Sequence, residues 1–333
     1  PGLLAIDASL GSFDNAGSVQ LIQGCAAIDA PGTDTGAYTL NGTCTLAFFT
    51  RAGSERIFQP SVVLNQTGAQ LQLEGRLRVN GTGRAFSNVL INPGAILYGP
   101  AVISITGTAL WRGTIEGTGT GQRVVITSTG ILQTTPNIGD TPTLRDRLIV
   151  VQGGMVNDQA DIELEGDAAI SMLAGNFSLY ATPGRGASVG CAVAPPCGSI
   201  SVDAPARLST TGPNGGPLIR IKSGLPVTLN GSLEINGGTL SVEDALTTSA
   251  TAAVLLSSGG VLSRAAGPLT LNGSLLAGDG AVQGDVVSLG GTLEPGDLIG
   301  PLSIGGNFSA DAATTYTMEV AGNIVRSPRG GNF

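Results

Sequence analysis

Apolar and polar residues alternate along much of the chain. In Leu71-Gln72-Leu73-Glu74-Gly75-Arg76-Leu77-Arg78-Val79 the apolar residues fall on odd positions and the polar ones on even positions. A two-residue period sends successive side chains to opposite faces of a strand, so Glu74, Arg76 and Arg78 are expected on the wet side. Asp161-Ile162-Glu163-Leu164-Glu165 and Arg220-Ile221-Lys222 follow the same pattern. Helical periodicity is almost absent and the good helix formers Lys and Glu are scarce. The pattern predicts an all-β chain in which one face of each strand is buried.

Strand-like runs of a few residues are separated by Gly-rich punctuation, including Asn-Gly steps that begin at Asn41, Asn80, Asn214, Asn230, Asn236 and Asn272. Taken singly, such steps suggest hairpins, because they supply positive φ at little steric cost. A longer regularity argues otherwise. Pro226-Val-Thr-Leu-Asn-Gly-Ser-Leu233 returns as Pro268-Leu-Thr-Leu-Asn-Gly-Ser-Leu275, 42 residues later, and Asn41-Gly-Thr and Asn80-Gly-Thr stand 39 apart. These displacements divide into two rungs of about 20 residues each, the spacing of stacked repeats. The expected fold is a right-handed parallel β-helix, a β-solenoid, with the hand taken from the rule for parallel crossovers. Roughly twelve to fifteen rungs at ~4.8 Å would make a rod about 60 to 70 Å long, with residues 134–148 and 182–198 leaving it as protruding loops. Residues 1–60 are expected as a less regular N-terminal β region or cap, and 61–333 as the rod. Tandem β-sandwiches are the structural alternative.

Composition narrows this picture. Gly is 52 of 333 residues without a three-residue period, and 41% of the chain is apolar, so collagen and a disordered linker are excluded while a core is available. With one Trp and eight Phe, that core is expected to be thin and aliphatic. The net charge is −8 and Lys222 is the only lysine, with no concentrated basic stripe, which argues against nucleic acid as a partner. No apolar run is long enough for a membrane-spanning helix, and the first ten residues lack the features of an export signal. The regular pattern stops at Arg326-Ser-Pro-Arg-Gly-Gly-Asn-Phe333 without an evident cap. An open sheet edge invites pairing with another chain, so self-association is an expected mode of partnership.

Candidate chemistry is sparse. The chain has no His, which removes Ser-His-Asp triads, Cys-His dyads and most zinc sites. Four cysteines fall as two near pairs, Cys25 with Cys44 and Cys191 with Cys197, and disulfides are the expected state of both. The carboxylates Asp158, Asp161, Glu163, Glu165 and Asp167 form one acidic constellation. By the two-residue period Asp161, Glu163, Glu165 and Asp167 share a strand face and are a candidate calcium site, against the alternative of an ordinary acidic solvent face. Gly117-Thr-Gly-Thr-Gly-Gln122 is Gly-rich but lacks the Lys of a phosphate loop, and reads as a rung corner. Trp111, Tyr98 and Tyr180 are the mid-chain aromatics available to stack on a sugar, and Lys222 or an Arg the only bases for a lyase. Of seven Asn-x-Ser/Thr sequons, at Asn41, Asn65, Asn80, Asn176, Asn230, Asn272 and Asn307, four coincide with Asn-Gly steps and reflect turn chemistry. No catalytic residue and no cofactor is assigned.

The segment Gly278-Asp-Gly-Ala-Val-Gln-Gly-Asp-Val286, followed by Gly291-Thr-Leu-Glu-Pro-Gly296, Gly300-Pro-Leu-Ser-Ile-Gly-Gly-Asn-Phe-Ser309 and Tyr316-Thr-Met-Glu-Val320, resembles the C-terminal passenger repeat of bacterial autotransporters and related secreted surface proteins. The resemblance implies a β-helix on the surface of, or secreted by, a Gram-negative-type bacterium. It covers residues 278–320 and carries no catalytic residue, because the matching repeat is structural in that family. No run of alternating barrel strands follows it, so the chain is expected to be the exported portion. The functional expectation is a secreted or cell-surface structural or adhesive protein that self-associates into fibres or extracellular matrix, or binds a surface glycan. A glycan-cleaving β-helix enzyme, a polysaccharide lyase or hydrolase of tailspike type, is the alternative.

Overall fold

A computed structural model of the chain describes residues 3–7, 11–22, 24–43, 45–50, 54–119, 121–134, 140–192, 197–296 and 300–317. They contain no helix, and their parallel strands stack as a β-solenoid of about 13 turns. At ~4.8 Å per turn the rod is roughly 60 Å long.

Each turn has three faces. Residues Ser232–Asn236 lie on the first, Thr239–Val242 on the second and Leu246–Thr248 on the third, after which Ala253–Ser257 returns to cover Ser232–Asn236. The second face is a sheet of its own, 13 strands deep. The first and third faces merge into one sheet, because Gly83–Ile91 and Val102–Trp111 run through the corner without a break. The bend is tight at Gly107, where a Cβ would lie 1.9 Å from the Ser87 carbonyl oxygen.

The alternation seen in the sequence becomes columns of like residues. Leu77, Leu97, Ile115, Leu144 and Leu164 stack in register inside the second face. Met155, Phe177, Leu208, Leu233, Val254, Leu276 and Leu293 do the same inside the first. All are buried, and full burial of such a side chain contributes ~1.5 to 3 kcal/mol. The core is mostly aliphatic; Phe86, Trp111 and Phe177 enter it singly, and near its N-terminal end Tyr38, Phe48 and Phe58 pack with ring centroids 5.7 to 5.8 Å apart. Segment 1–60, set apart above as a less regular region, places Cys25–Asp29, Thr45–Phe49 and Arg56–Phe58 in register with the turns that follow.

Several expectations are corrected. The 42-residue repeat is a true two-turn step: Thr228 pairs with Thr247, and Thr247 with Thr270. The 39-residue spacing of Asn41 and Asn80 is not. Asn41 ends a third-face strand, whereas Asn80 follows the second-face strand Arg76–Val79, so the two occupy different corners. The loops are also shorter than expected. Thr143–Arg145 and Ala187–Cys191 are second-face strands, and Leu148 opens a third-face strand. The reason is register: both segments have a neighbour on each side with which to pair.

Candidate functional site

The strand Asp161–Glu165 buries Ile162 and Leu164 and turns Asp161, Glu163 and Glu165 outward, as the alternation requires. Asp167 does not share that face, because the strand ends at Glu165 and the chain turns the corner at Gly166, whose φ is +62°. Asp158 lies on the preceding first-face strand and accepts a hydrogen bond from Gln159 Nε2 at 2.8 Å. Two of the three outward carboxylates, Asp161 and Glu165, are engaged individually. Glu116, Arg145 and Glu165 stack in register, and Arg145 bridges the two acids, through Nη1 to Glu116 at 3.1 Å and through Nε to Glu165. The hydrogen bond with Glu165 raises the Arg145 pKa above its ordinary value. Asp161 accepts from Ser188 Oγ. Among the described residues no group of three or more His, Cys, Asp or Glu is placed to hold a metal ion. The proposed calcium set Asp161, Glu163, Glu165 and Asp167 is therefore divided between a strand face and a corner, with Arg145 inserted in the column.

A cleft of about 670 Å³ opens at the corner between the second and third faces. Three successive turns line it, through Gly117, Thr118, Gly119, Gly121 and Gln122, then Asp146 to Leu148, and then Asp167 with Ala169. The Gly-rich segment is thus a rung corner, as read from the sequence, and it needs its first glycine: a Cβ at Gly117 would meet the Asp146 carbonyl oxygen at 2.0 Å. The Asp146 carboxylate in turn accepts from the Asp167 N–H at 3.1 Å.

Arg147 is the unusual member of this cleft. Its side chain is buried, with 1% of the residue exposed. Nη2 donates to the carbonyls of Gly99 and Ala101 and, at 3.3 Å, to Gln122 Oε1, whereas Nε and Nη1 have no hydrogen-bond partner. Burial pushes its pKa down to about 10, with Glu116 acting in the opposite direction, so the guanidinium is charged at neutral pH. Gln122 fastens over it: Oε1 also accepts from the Thr118 N–H at 2.7 Å, and Nε2 donates to Thr118 Oγ1 at 3.1 Å. Two other largely buried arginines behave differently. Arg84 and Arg264 place both terminal nitrogens on backbone carbonyls, as staples between turns.

The remaining sequence candidates are dispersed. Trp111 is fully buried and donates Nε1–H to the Gly113 carbonyl at 3.0 Å, so it offers no platform to a sugar. Tyr98 is buried under the Arg76 guanidinium, 4.8 Å from the ring centroid. Tyr180 is exposed. Lys222 lays its aliphatic stem over Gly190, where a Cβ would meet Cδ at 2.6 Å. Cys191 and Cys197 form a disulfide, as expected. Cys25 is a free, exposed thiol, and Cys44, its partner in the expected bridge, lies outside the described residues. Sequence reasoning did not single out Arg147, Gln122 or Asp146, which no motif joins and only the stacking of turns brings together.

No protein-family model matches the chain, and a search of curated proteins finds no match to it.

Proposed function

We propose that this chain is the rod of a secreted, cell-surface bacterial protein with a structural or adhesive role, in which rods associate with copies of themselves into fibres or matrix. The observation that carries this reading is the stacking over about 13 turns. It repeats small outward-facing polar groups at the spacing of one turn, as where Asn236 accepts from Ser257 on the first face. A surface of fixed period is suited to lateral contact with a second copy of the same period, or with a repetitive polymer such as a glycan. The resemblance of 278–320 to autotransporter passenger repeats supports the secreted, surface-located part of the reading, and strand addition at a sheet edge supplies a physical route to end-to-end growth.

Electron microscopy and sedimentation of the purified chain over a wide concentration range test the proposal. Filaments or laterally bundled rods are the expected result, and rods that stay separate at the highest concentration would overturn self-association. Within this reading the chain has no catalytic role, so release of shortened products from a panel of acidic polysaccharides would replace it with the glycan-cleaving alternative.

A further inference from the structure

Arg147 lines the corner cleft and is a buried cation with two unpartnered nitrogens, Nε and Nη1, and among the described residues its only side-chain acceptor is the neutral carboxamide of Gln122. Leaving a buried charge without full pairing is costly. Arg84 and Arg264 also leave Nε without a partner but fill both terminal nitrogens with carbonyls, so the empty Nη1 is what sets Arg147 apart from a staple between turns. Gln122 Oε1 stands where two donors converge, the Arg147 guanidinium and the Thr118 N–H, and so marks the position of an acceptor oxygen.

We propose that this corner cleft is a binding site for a hydroxylated monocarboxylate of the sugar-acid class, whose carboxylate displaces the Gln122 carboxamide and pairs with Arg147 and the Thr118 N–H. The charges of the cleft select that chemistry. Arg147 supplies one positive charge, and a carboxylate oxygen in the place of Gln122 Oε1 would accept from its Nη2. Asp146 and Asp167 line the same cleft; they repel a dianion such as phosphate more strongly than a monocarboxylate, and they accept hydrogen bonds from hydroxyl groups. A neutral sugar would satisfy the two acids and leave Arg147 unpaired. The volume, about 670 Å³, lies within the ~300 to 1,000 Å³ of small-molecule sites. The walls are firm, because the next turn carries the Cys191–Cys197 disulfide and seats Gly198 against the Ala168 carbonyl. The proposal does not depend on self-association of the rods.

The test is calorimetry and thermal melting of the full chain with D-glucuronate, glucose, acetate and inorganic phosphate, each at millimolar concentration. Glucuronate is expected to bind saturably and raise the melting temperature, and glucose and phosphate to do neither, with acetate weaker than glucuronate. Gln122→Glu places a carboxylate on Arg147 from within the protein. It is expected to raise the melting temperature without ligand and to weaken glucuronate at least about tenfold, whereas Gln122→Ala keeps binding. Arg147→Met is expected to abolish binding, and the two Gln122 variants keep the test decisive if that variant fails to fold. No heat with glucuronate in both the unmodified chain and Gln122→Ala would overturn the proposal. So would equal binding of glucose, stabilisation by phosphate alone, or unchanged glucuronate affinity in Gln122→Glu.

Discussion

Arg56 shows what a single buried charge demands when its partner is supplied. The Arg56 and Asp34 side chains are wholly buried, with Nη2 and Oδ1 2.5 Å apart. The same Asp34 oxygen accepts from Tyr38 Oη at 2.9 Å and from the Asn15 N–H at 3.2 Å. Arg56 also donates to the carbonyls of Ala30 and Phe13 and lies over the rings of Phe13 and Phe48. Asp34→Ala removes the counter-ion and leaves the cation in place, so a loss of ~3 to 5 kcal/mol in chemical denaturation is expected; a loss under ~1 kcal/mol would show that the pair contributes little. Alternation placed Arg76 and Arg78 outward correctly, since their apolar neighbours fix the inward side. It could not do so for Arg56, because Arg56-Ile57-Phe58 offers apolar residues to both sides, and the inward side was decided by Phe58 and the acid waiting at Asp34.

At the scale of the element, the strands were readable and the corners only partly so. Gly and Asn-Gly marked where the chain turns, but not which corner of the triangle each turn occupies, as the unequal positions of Asn41 and Asn80 show. Corner identity depends on contact with the turn before. Gly198 has φ +124°, and a Cβ there would stand 1.6 Å from the Ala168 carbonyl oxygen. Since that obstacle is backbone, Gly198→Ala is expected to cost at least ~2 kcal/mol, combining the unfavourable φ with the clash. The measurement is the melting temperature, together with faster hydrogen exchange confined to 166–169 and 198–202. An unchanged melting temperature would mean that the two corners do not touch. The acidic strand illustrates the same limit: alternation found the outward set Asp161, Glu163 and Glu165 and extended it one step too far, to Asp167, because a period carries no information about where the strand stops.

For the whole molecule, stability is largely a sum over neighbouring turns, each touching mainly the ones above and below it. Interior columns are buried through the middle of the rod, whereas Ser303–Ile304, Phe308–Ala310 and Thr315–Tyr316 carry no buried side chain. Native-state hydrogen exchange is therefore expected to be slowest on the central strands, such as Asp161–Glu165 and Arg207–Thr211, and fastest over 303–316. Uniform protection along the chain would contradict turn-by-turn stability, and selective slowing at 303–316 as concentration rises would point to contact between rods. The sequence by itself determined the strand period, the aliphatic core, the rung of about 20 residues and hence the solenoid, because all of these follow from a pattern that repeats within one or two turns. Only the tertiary structure decided which corners coincide, how Arg145 divides the acids, and that Gly117, Gln122, Asp146, Arg147 and Asp167 enclose one cleft. Those relations join residues on successive turns, where register rather than local sequence sets the neighbour.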